Sequence, residues 1–137
     1  MKINSNIRYG LRAIIEIANS PKPVLQREIA ERQEISLNYL DSIIAGLKNS
    51  GLIVNSGGKG SGYILAKKAK DITVYQVYCA FSPDLQLVNC FCDTNECQRS
   101  NNCPSKDYWF ELNSKIKELM SSKTIKELMN NDILINQ

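Results

Sequence analysis

Apolar residues recur at helical spacing through the first fifty positions and predict three helices. The first is expected over residues 5–19, where apolar positions lie three or four apart until the Ser-Pro-Lys-Pro of residues 20–23 ends the pattern. A short second helix is expected over residues 26–32 and a third over residues 36–50. The third has Ser36 as its predicted N-cap, and its predicted buried stripe consists of Leu37, Leu40, Ile44 and Leu47.

Two short apolar segments follow the third helix and predict a β-hairpin. Gly51 is expected to end the helix, and residues 52–54 and 63–65 are expected to form strands joined by the Gly- and Ser-rich segment 55–62. Three helices followed by a glycine-rich hairpin are typical of a winged helix-turn-helix. A phosphate-cradling nucleotide loop is the alternative, but it would end in Gly-Lys-Ser or Gly-Lys-Thr and lead into a helix, and this segment does neither.

The second half of the chain predicts two longer elements. A fourth helix is expected over residues 73–81, with Cys79 as a buried or half-buried packing residue. A long helix is expected over residues 105–120, with apolar positions spaced by three and four as in a helix that packs along another helix: Trp109, Leu112, Ile116 and Leu119. A small winged domain can hardly bury this stripe as well, so we expect it to form a homodimer interface. Thr124 with Glu127 predicts a capping box that starts a short final helix.

These elements predict a fold that is mainly α with a small β-wing. We expect a winged helix-turn-helix DNA-binding domain over residues 1–70. A connecting helix and a cysteine-rich segment follow over residues 71–104. The dimerisation helix and a C-terminal helix complete the chain over residues 105–137.

The distribution of charge favours a nucleic-acid partner for the first half. Residues 1–70 carry eleven Lys or Arg against five Asp or Glu, a net charge of +6, whereas residues 71–137 carry six against nine, a net charge of −3. The predicted partner is a double-stranded DNA operator. Predicted neighbours of base edges, on the third helix, are Ser36, Asn38, Tyr39 and Asp41. Predicted neighbours of phosphates are Gln26, Arg27, Lys48 and Lys59, the last at the apex of the wing.

Four of the five cysteines lie in one polar segment with no apolar face to bury: Cys90, Cys92, Cys97 and Cys103. Thiolates that converge on a soft metal ion or an iron–sulfur cluster would order such a segment. A structural zinc site and a reversible thiol switch are the alternatives, although the Cys-x2-Cys pairs common in zinc sites are missing.

Composition excludes several other classes. The chain contains no histidine, which removes imidazole from any metal site, and no acid–base constellation predicts an enzyme. Neither a signal-peptide-like start nor a run of eighteen apolar residues is found, so we expect a cytoplasmic protein with no membrane partner.

Several stretches together resemble the Rrf family of bacterial winged-helix regulators. They are KINSNIRYGLRAIIEIA, IAERQEISLNYLDSIIAGLKNSGLI, the wing GKGSGY, the cysteine segment, Trp109 after Cys103, and TIKELM. The resemblance covers nearly the whole chain. It implies a homodimeric transcription factor in which an iron–sulfur cluster, of the 2Fe-2S type in IscR-like members, controls DNA binding. It also implies an alternative, a nitric-oxide-sensing repressor of the NsrR-like type.

The resemblance implies roles for the cysteines and for one acidic residue. Cys97 and Cys103 match the second and third cluster ligands of the family, and either Cys90 or Cys92 matches the first. Asp41 matches the acidic residue with which IscR-like members discriminate between classes of DNA site.

This chain departs from the family pattern at the fourth ligand and at the wing. Lys106 replaces the histidine of IscR-like members, and Arg8 stands where some NsrR-like members have an acid. Gly57 replaces a frequent wing arginine. An all-cysteine ligand set is therefore one expectation. Three cysteines with an oxygen donor, either Asp93, Asp107 or water, is the other.

Overall fold

The computed structural model describes residues 2–88 and 102–129. In chain order the elements are α1 (Ser5–Asn19), α2 (Gln26–Gln33), α3 (Leu37–Asn49), β1 (Ile53–Asn55), β2 (Tyr63–Leu65), a 3₁₀ turn (Ala69–Asp71), α4 (Val74–Phe81) and α5 (Lys106–Ser122). The predicted class, mainly α with a small β-wing, is confirmed. Each predicted strand and each helix predicted within residues 5–120 is found with its ends shifted by at most two residues. In the part of the chain that the structure describes, no helix has both the length and the apolarity needed to cross a bilayer.

Side-chain caps set where the helices begin. Asn4 Oδ1 accepts from the Ile7 amide at 3.0 Å at the start of α1, and Ser36 Oγ accepts from the Tyr39 amide at 3.2 Å at the start of α3. Thr73 and Gln76 form a reciprocal capping box at the start of α4. Each cap satisfies amide groups that the first turn of a helix leaves without a partner.

The core of the winged domain lies between α1, α2, α3 and the hairpin. Its fully buried side chains include Ile14, Ile29, Leu40, Ile43, Leu47 and Ile53. The predicted buried stripe of α3 is wrong at one end, because Leu37 is 51% exposed. Leu37 is the first residue of α3 and lines an open groove, so no element covers it, whereas Ile43 faces the core.

Phe81, the last residue of α4, packs between two glycines on different helices. A Cβ atom added at Gly10 of α1 or at Gly46 of α3 would overlap the Phe81 ring. The two glycines therefore let α4 lie close to both α1 and α3. Through this contact the fourth helix joins the same core as the winged domain.

The wing is tied to the segment that precedes α2. Its two strands pair antiparallel, with Ile53 opposite Leu65 and Asn55 opposite Tyr63. Tyr63 also exchanges two main-chain hydrogen bonds with Val24, at 2.8 and 3.1 Å. Gly62, at φ +95, packs so closely on Pro23 and Val24 that a side chain would be crowded there. The base of the wing is thus held against the helix-turn-helix.

The chain after α5 returns to the winged domain. Val74 donates its amide to Lys123 O, and Ile125 donates its amide to Ile72 O, each at 2.9 Å. Residues 125–129 are helical, and the Glu127 amide donates to Thr124 Oγ1 at 3.3 Å, one half of the predicted capping box. Ile125 is fully buried in the main core. The C-terminal part of the described chain therefore contributes to the stability of the DNA-binding half.

Candidate nucleic-acid interface

The outer face of the first two turns of α3 is open to solvent. Ser36, Asn38 and Asp41, three of the four predicted base-reading residues, are exposed there. Ser36 Oγ already accepts the Tyr39 amide as the helix cap, but its hydroxyl proton is still available. Because the buried face of α3 is anchored in the core, these side chains are presented outward from a rigid element.

Tyr39, the fourth predicted base-reading residue, lies against α1. Its hydroxyl is 2.6 Å from Asn6 Oδ1 and 3.2 Å from Ser5 Oγ, and its ring meets Tyr9 edge-on with centroids 5.4 Å apart. The Arg12 guanidinium stacks on the Tyr9 ring, 5.1 Å from its centroid. Tyr39 therefore joins the starts of α1 and α3. Asn6 and Tyr9 were not singled out by the sequence, because contacts between helices far apart in the chain have no signal in periodicity.

An open groove of about 540 Å³ separates the start of α2 and α3 from the wing. The lining residues with polar or aromatic groups are Gln26, Arg27, Asp41, Asn55 and Tyr63. Leu37 adds an exposed apolar side chain at the mouth. The groove thus brings two of the predicted phosphate contacts, Gln26 and Arg27, beside the predicted reading residue Asp41.

Gln26 and Asp41 contact each other across this groove. Gln26 Nε2 donates a hydrogen bond to Asp41 Oδ1. The two residues are fifteen positions apart and belong to different helices, so only the turn between α2 and α3 brings them together. Both were predicted as DNA neighbours, but their pairing was missed.

The wing presents a single lysine from a tightly bonded tip. Ser61 Oγ donates to Gly58 O at 2.6 Å and accepts from the Gly57 amide at 2.9 Å, while Gly60 adopts φ +83. Lys59 stands exposed at this tip, and within residues 2–88 and 102–129 its ammonium forms no ion pair. A lysine so placed can contact a phosphate without first breaking another interaction.

Lys48, predicted as a phosphate contact, lies at the other end of α3. Its ammonium is 5.8 Å from the centroid of the Tyr63 ring, at the base of the wing. This distance allows a weak cation–π contact between α3 and β2. Lys48 remains exposed.

Of the four predicted cluster ligands, only Cys103 belongs to the described residues. Cys90, Cys92 and Cys97 lie outside them. Cys103 is half-buried just before α5, with its Sγ 3.1 Å from Ser105 Oγ. Among the described residues no three Cys, Asp or Glu side chains converge on one point.

The segment that leads into the cysteines is bonded to α5. Asn113 of α5 accepts the Leu87 amide at 2.8 Å and donates to Leu85 O at 3.1 Å. Lys117 forms an ion pair with Asp84 at 2.8 Å. Both described flanks of the cysteine segment, residues 84–88 and Cys103, therefore meet the same helix.

Cys79 was predicted to be buried or half-buried, but it is exposed. It lies on the outer side of α4, whereas Val77 and Tyr78 face inward. Partial burial nevertheless raises the pKa of the Cys79 thiol, and the charge of Lys117 lowers that pKa by a smaller amount. A raised pKa disfavours the thiolate, which is the form that a thiol switch requires.

The four residues of the predicted dimer stripe have different surroundings in a single chain. Ile116 packs partly against the small cluster of Ile7, Tyr78 and Leu85. Leu119 is 66% exposed and Trp109 is 37% exposed, while Leu112 is half-buried. Tyr108 and Phe110, outside the predicted stripe, are more than half exposed as well. In a single chain α5 therefore exposes several large apolar side chains, among charged residues such as Glu111, Lys115 and Glu118.

Known proteins similar to this chain are transcriptional regulators. The HTH-type transcriptional regulator IscR of Pectobacterium atrosepticum is 32% identical over 99% of this chain and 84% of its own length. The IscR of Yersinia pseudotuberculosis is 34% identical over 98% of this chain and 83% of its own. The chain is accordingly a transcriptional regulator and not an enzyme, as its residues predicted.

Solved structures show the same fold. T. potens IscR superposes with a TM-score of 0.76 at 27% identity and covers 96% of this chain and 88% of its own. CymR, the global cysteine regulator of B. subtilis, superposes with a TM-score of 0.78 at 25% identity over 96% and 98% of the two chains. Regulators of this kind bind DNA, which agrees with the open face of α3. The family model described as "Iron-dependent Transcriptional regulator" matches residues 3–131. The chain belongs to this family, the Rrf2 family.

Proposed function

We propose that the chain is a homodimeric, iron–sulfur-dependent regulator that binds a double-stranded DNA operator through α3 and the wing. The main support for DNA binding is the groove between α3 and the wing. It opens beside the exposed first turn of α3 and faces a wing tip that carries Lys59 without an ion-pair partner among the described residues. The net charge of residues 1–70 has the sign that phosphates require.

Within this interface the residues divide into two roles. Ser36, Asn38 and Asp41 are proposed to reach base edges, because they are exposed on the helix that would enter the major groove. Arg27, Lys48 and Lys59 are proposed to contact phosphates. Tyr39 is proposed to hold α1 against α3, because its hydroxyl is bonded to the first turn of α1. Its substitution should therefore alter the placement of the reading face.

Salt-dependent DNA binding tests this proposal. Lys59→Ala should weaken binding to all duplexes alike and reduce the slope of log Kd against log salt concentration by about one, since one phosphate contact is lost. Fluorescence anisotropy at several salt concentrations measures both quantities. Lys126→Ala, an exposed lysine near the end of the described chain, is the control and should leave both unchanged. Equal slopes for wild type and Lys59→Ala would remove the wing from the interface.

The cluster is proposed to be held by Cys90, Cys92, Cys97 and Cys103. The surroundings of Cys103 suit a thiolate ligand, since it lies just before the N-terminus of α5 and beside the Ser105 hydroxyl. The positive end of the helix dipole and a hydroxyl donor both stabilise a thiolate. The bonds from Asn113 to Leu85 and Leu87 bring the other flank of the cysteine segment to the same helix. When bound, an iron–sulfur cluster, of the 2Fe-2S type by family resemblance, would supply a one-electron redox centre and an oxidant-sensitive signal.

Single substitutions distinguish the all-cysteine set from three cysteines with an oxygen ligand such as Asp107. Cys92→Ala should lose or visibly alter the absorbance spectrum after anaerobic reconstitution, together with its iron content. Cys79→Ala is the matched control and should behave as wild type, because Cys79 lies on α4. An unchanged spectrum and iron content in Cys92→Ala would favour the oxygen-ligated site. Such a site is open to nitric oxide, and this is the specific support that the nitric-oxide-sensing alternative would need.

A further inference from the structure

The groove between α2, α3 and the wing contains one acidic residue among its lining side chains, Asp41. A carboxylate on a surface that must approach phosphates lowers affinity for every DNA sequence, because like charges repel. Asp41 is exposed and forms no ion pair within the described chain, and its side-chain hydrogen bond there is the one with Gln26. Its chemistry suits base reading, since a carboxylate accepts hydrogen bonds from the exocyclic amino groups in the major groove.

Gln26 determines how that carboxylate is presented. An ionised carboxylate offers only acceptors, so the Gln26 amide must turn its nitrogen toward Asp41 Oδ1. Asp41 Oδ2 and Gln26 Oε1 remain as acceptors, and neither oxygen has another hydrogen bond within residues 2–88 and 102–129. Gln26 is the first residue of α2 and Asp41 lies on the second turn of α3, so the pair is carried by two rigid helices.

We propose that Gln26 and Asp41 form one base-reading unit. The unit presents paired acceptors that select a base pair with an exocyclic amino group, cytosine N4 or adenine N6, on its facing edge. It disfavours guanine and thymine, whose facing oxygens are themselves acceptors. Gln26 is then a specificity-determining residue that acts through Asp41, and not a phosphate contact. This inference rests on the proposed DNA-binding function.

A double-mutant cycle on sequence preference tests the unit. A preferred duplex is first selected with wild-type protein from a randomised pool. Binding of wild type, Gln26→Ala, Asp41→Ala and the double variant is then measured on all single-base changes of that duplex. At one base pair, wild type should bind about tenfold or more weakly when the pair is reversed, because reversal replaces the amino group of cytosine or adenine on one strand by the oxygen of guanine or thymine. Each single variant should lose discrimination at that same base pair, and the double variant should lose no more than Asp41→Ala.

Two further variants distinguish loss of the Gln26–Asp41 contact from a general loss of DNA affinity. Gln26→Glu places two carboxylates together, so it should lose the same discrimination even though the side chain keeps its length. Arg27→Ala, the next residue along α2, should weaken binding equally on every duplex. Circular dichroism verifies that each variant folds. If Gln26→Ala does not fold, Gln26→Glu replaces it as the Gln26 variant.

The possible results distinguish failure of the Gln26–Asp41 unit from failure of the proposed DNA-binding function. Losses at different base pairs, additive losses, a uniform loss in Gln26→Ala, or equal binding to the reversed base pair, which puts an oxygen where the amino group was, would each overturn the unit while the regulator still binds DNA. Wild-type protein that selects no duplex and shows no salt dependence would overturn the proposed function, and the unit with it.

Discussion

Helices α3 and α5 are both amphipathic, but they bury their apolar sides to very different extents. In α3, Leu40, Ile43 and Leu47 are fully buried against the chain's own core, and Leu37 alone of its large apolar residues is well exposed. No residue of α5 is fully buried, and Phe110 and Leu119 are each more than 60% exposed. A hydrophobic period therefore shows only that a helix has an apolar face, and a homodimer partner for that of α5 remains a proposal. The period does not show whether that face is covered within the same chain.

Truncation of one leucine on each helix is the most severe test of this difference. Leu40→Ala should lower the free energy of unfolding by about 2–5 kcal/mol, because it leaves a cavity in a fully packed site. Leu119→Ala should leave the unfolding free energy of the dilute monomer nearly unchanged, since the side chain is 66% exposed. Urea titrations at low protein concentration measure both. Comparable losses would mean that α5 is packed as tightly as α3.

A charge on the outer face of α5 should act on association and not on folding. Burial of a large apolar side chain contributes about 1.5–3 kcal/mol, so Leu119→Asp should weaken a homodimer by roughly ten- to a hundredfold or more. Sedimentation equilibrium gives the dissociation constant. Lys115→Ala, exposed on the same helix, is the control. A wild-type protein that is monomeric at micromolar concentration would contradict the dimer proposal.

The glycines around Phe81 offer a smaller test on the α3 side. Gly46→Ala should destabilise the fold by about 1–3 kcal/mol, although alanine favours helices, because its methyl group would overlap the Phe81 ring. Gly57→Ala in the wing is the matched control, since its added Cβ would have 3.6 Å to the nearest atom and its φ is not positive. Thermal or urea denaturation compares the two. An unchanged Gly46→Ala would show that the ring can move aside at no cost.

The order and type of the elements could be predicted because they depend on neighbours in sequence. Apolar spacing, the Ser36 cap and the glycine-rich hairpin are all local signals, and each was found where expected. The errors occurred where burial depends on distant elements. Leu37 has the right period but lies at the end of α3, beyond the elements that cover the stripe. Cys79 has an apolar context but lies on the outer side of α4.

The same distinction between local signals and contacts of distant elements applies to the candidate site. Exposed residues on α3 and Lys59 on the wing could be predicted from the motif, because helix-turn-helix geometry brings them to one surface. The contact of Gln26 with Asp41 and that of Tyr39 with Asn6 could not, since each joins two helices through distances that no sequence pattern encodes.

The main-chain bonds between Val24 and Tyr63 have a consequence for the thermodynamics of DNA binding. They hold β2 to the segment that begins α2, so the two walls of the groove cannot separate without breaking them. If a duplex binds in this groove as proposed, these bonds hold its walls in place before binding, and the conformational entropy lost is expected mainly at the wing tip and in long side chains such as Lys59. The duplex would then have to adapt its own groove width to the protein, so the deformability of the operator would contribute to its recognition.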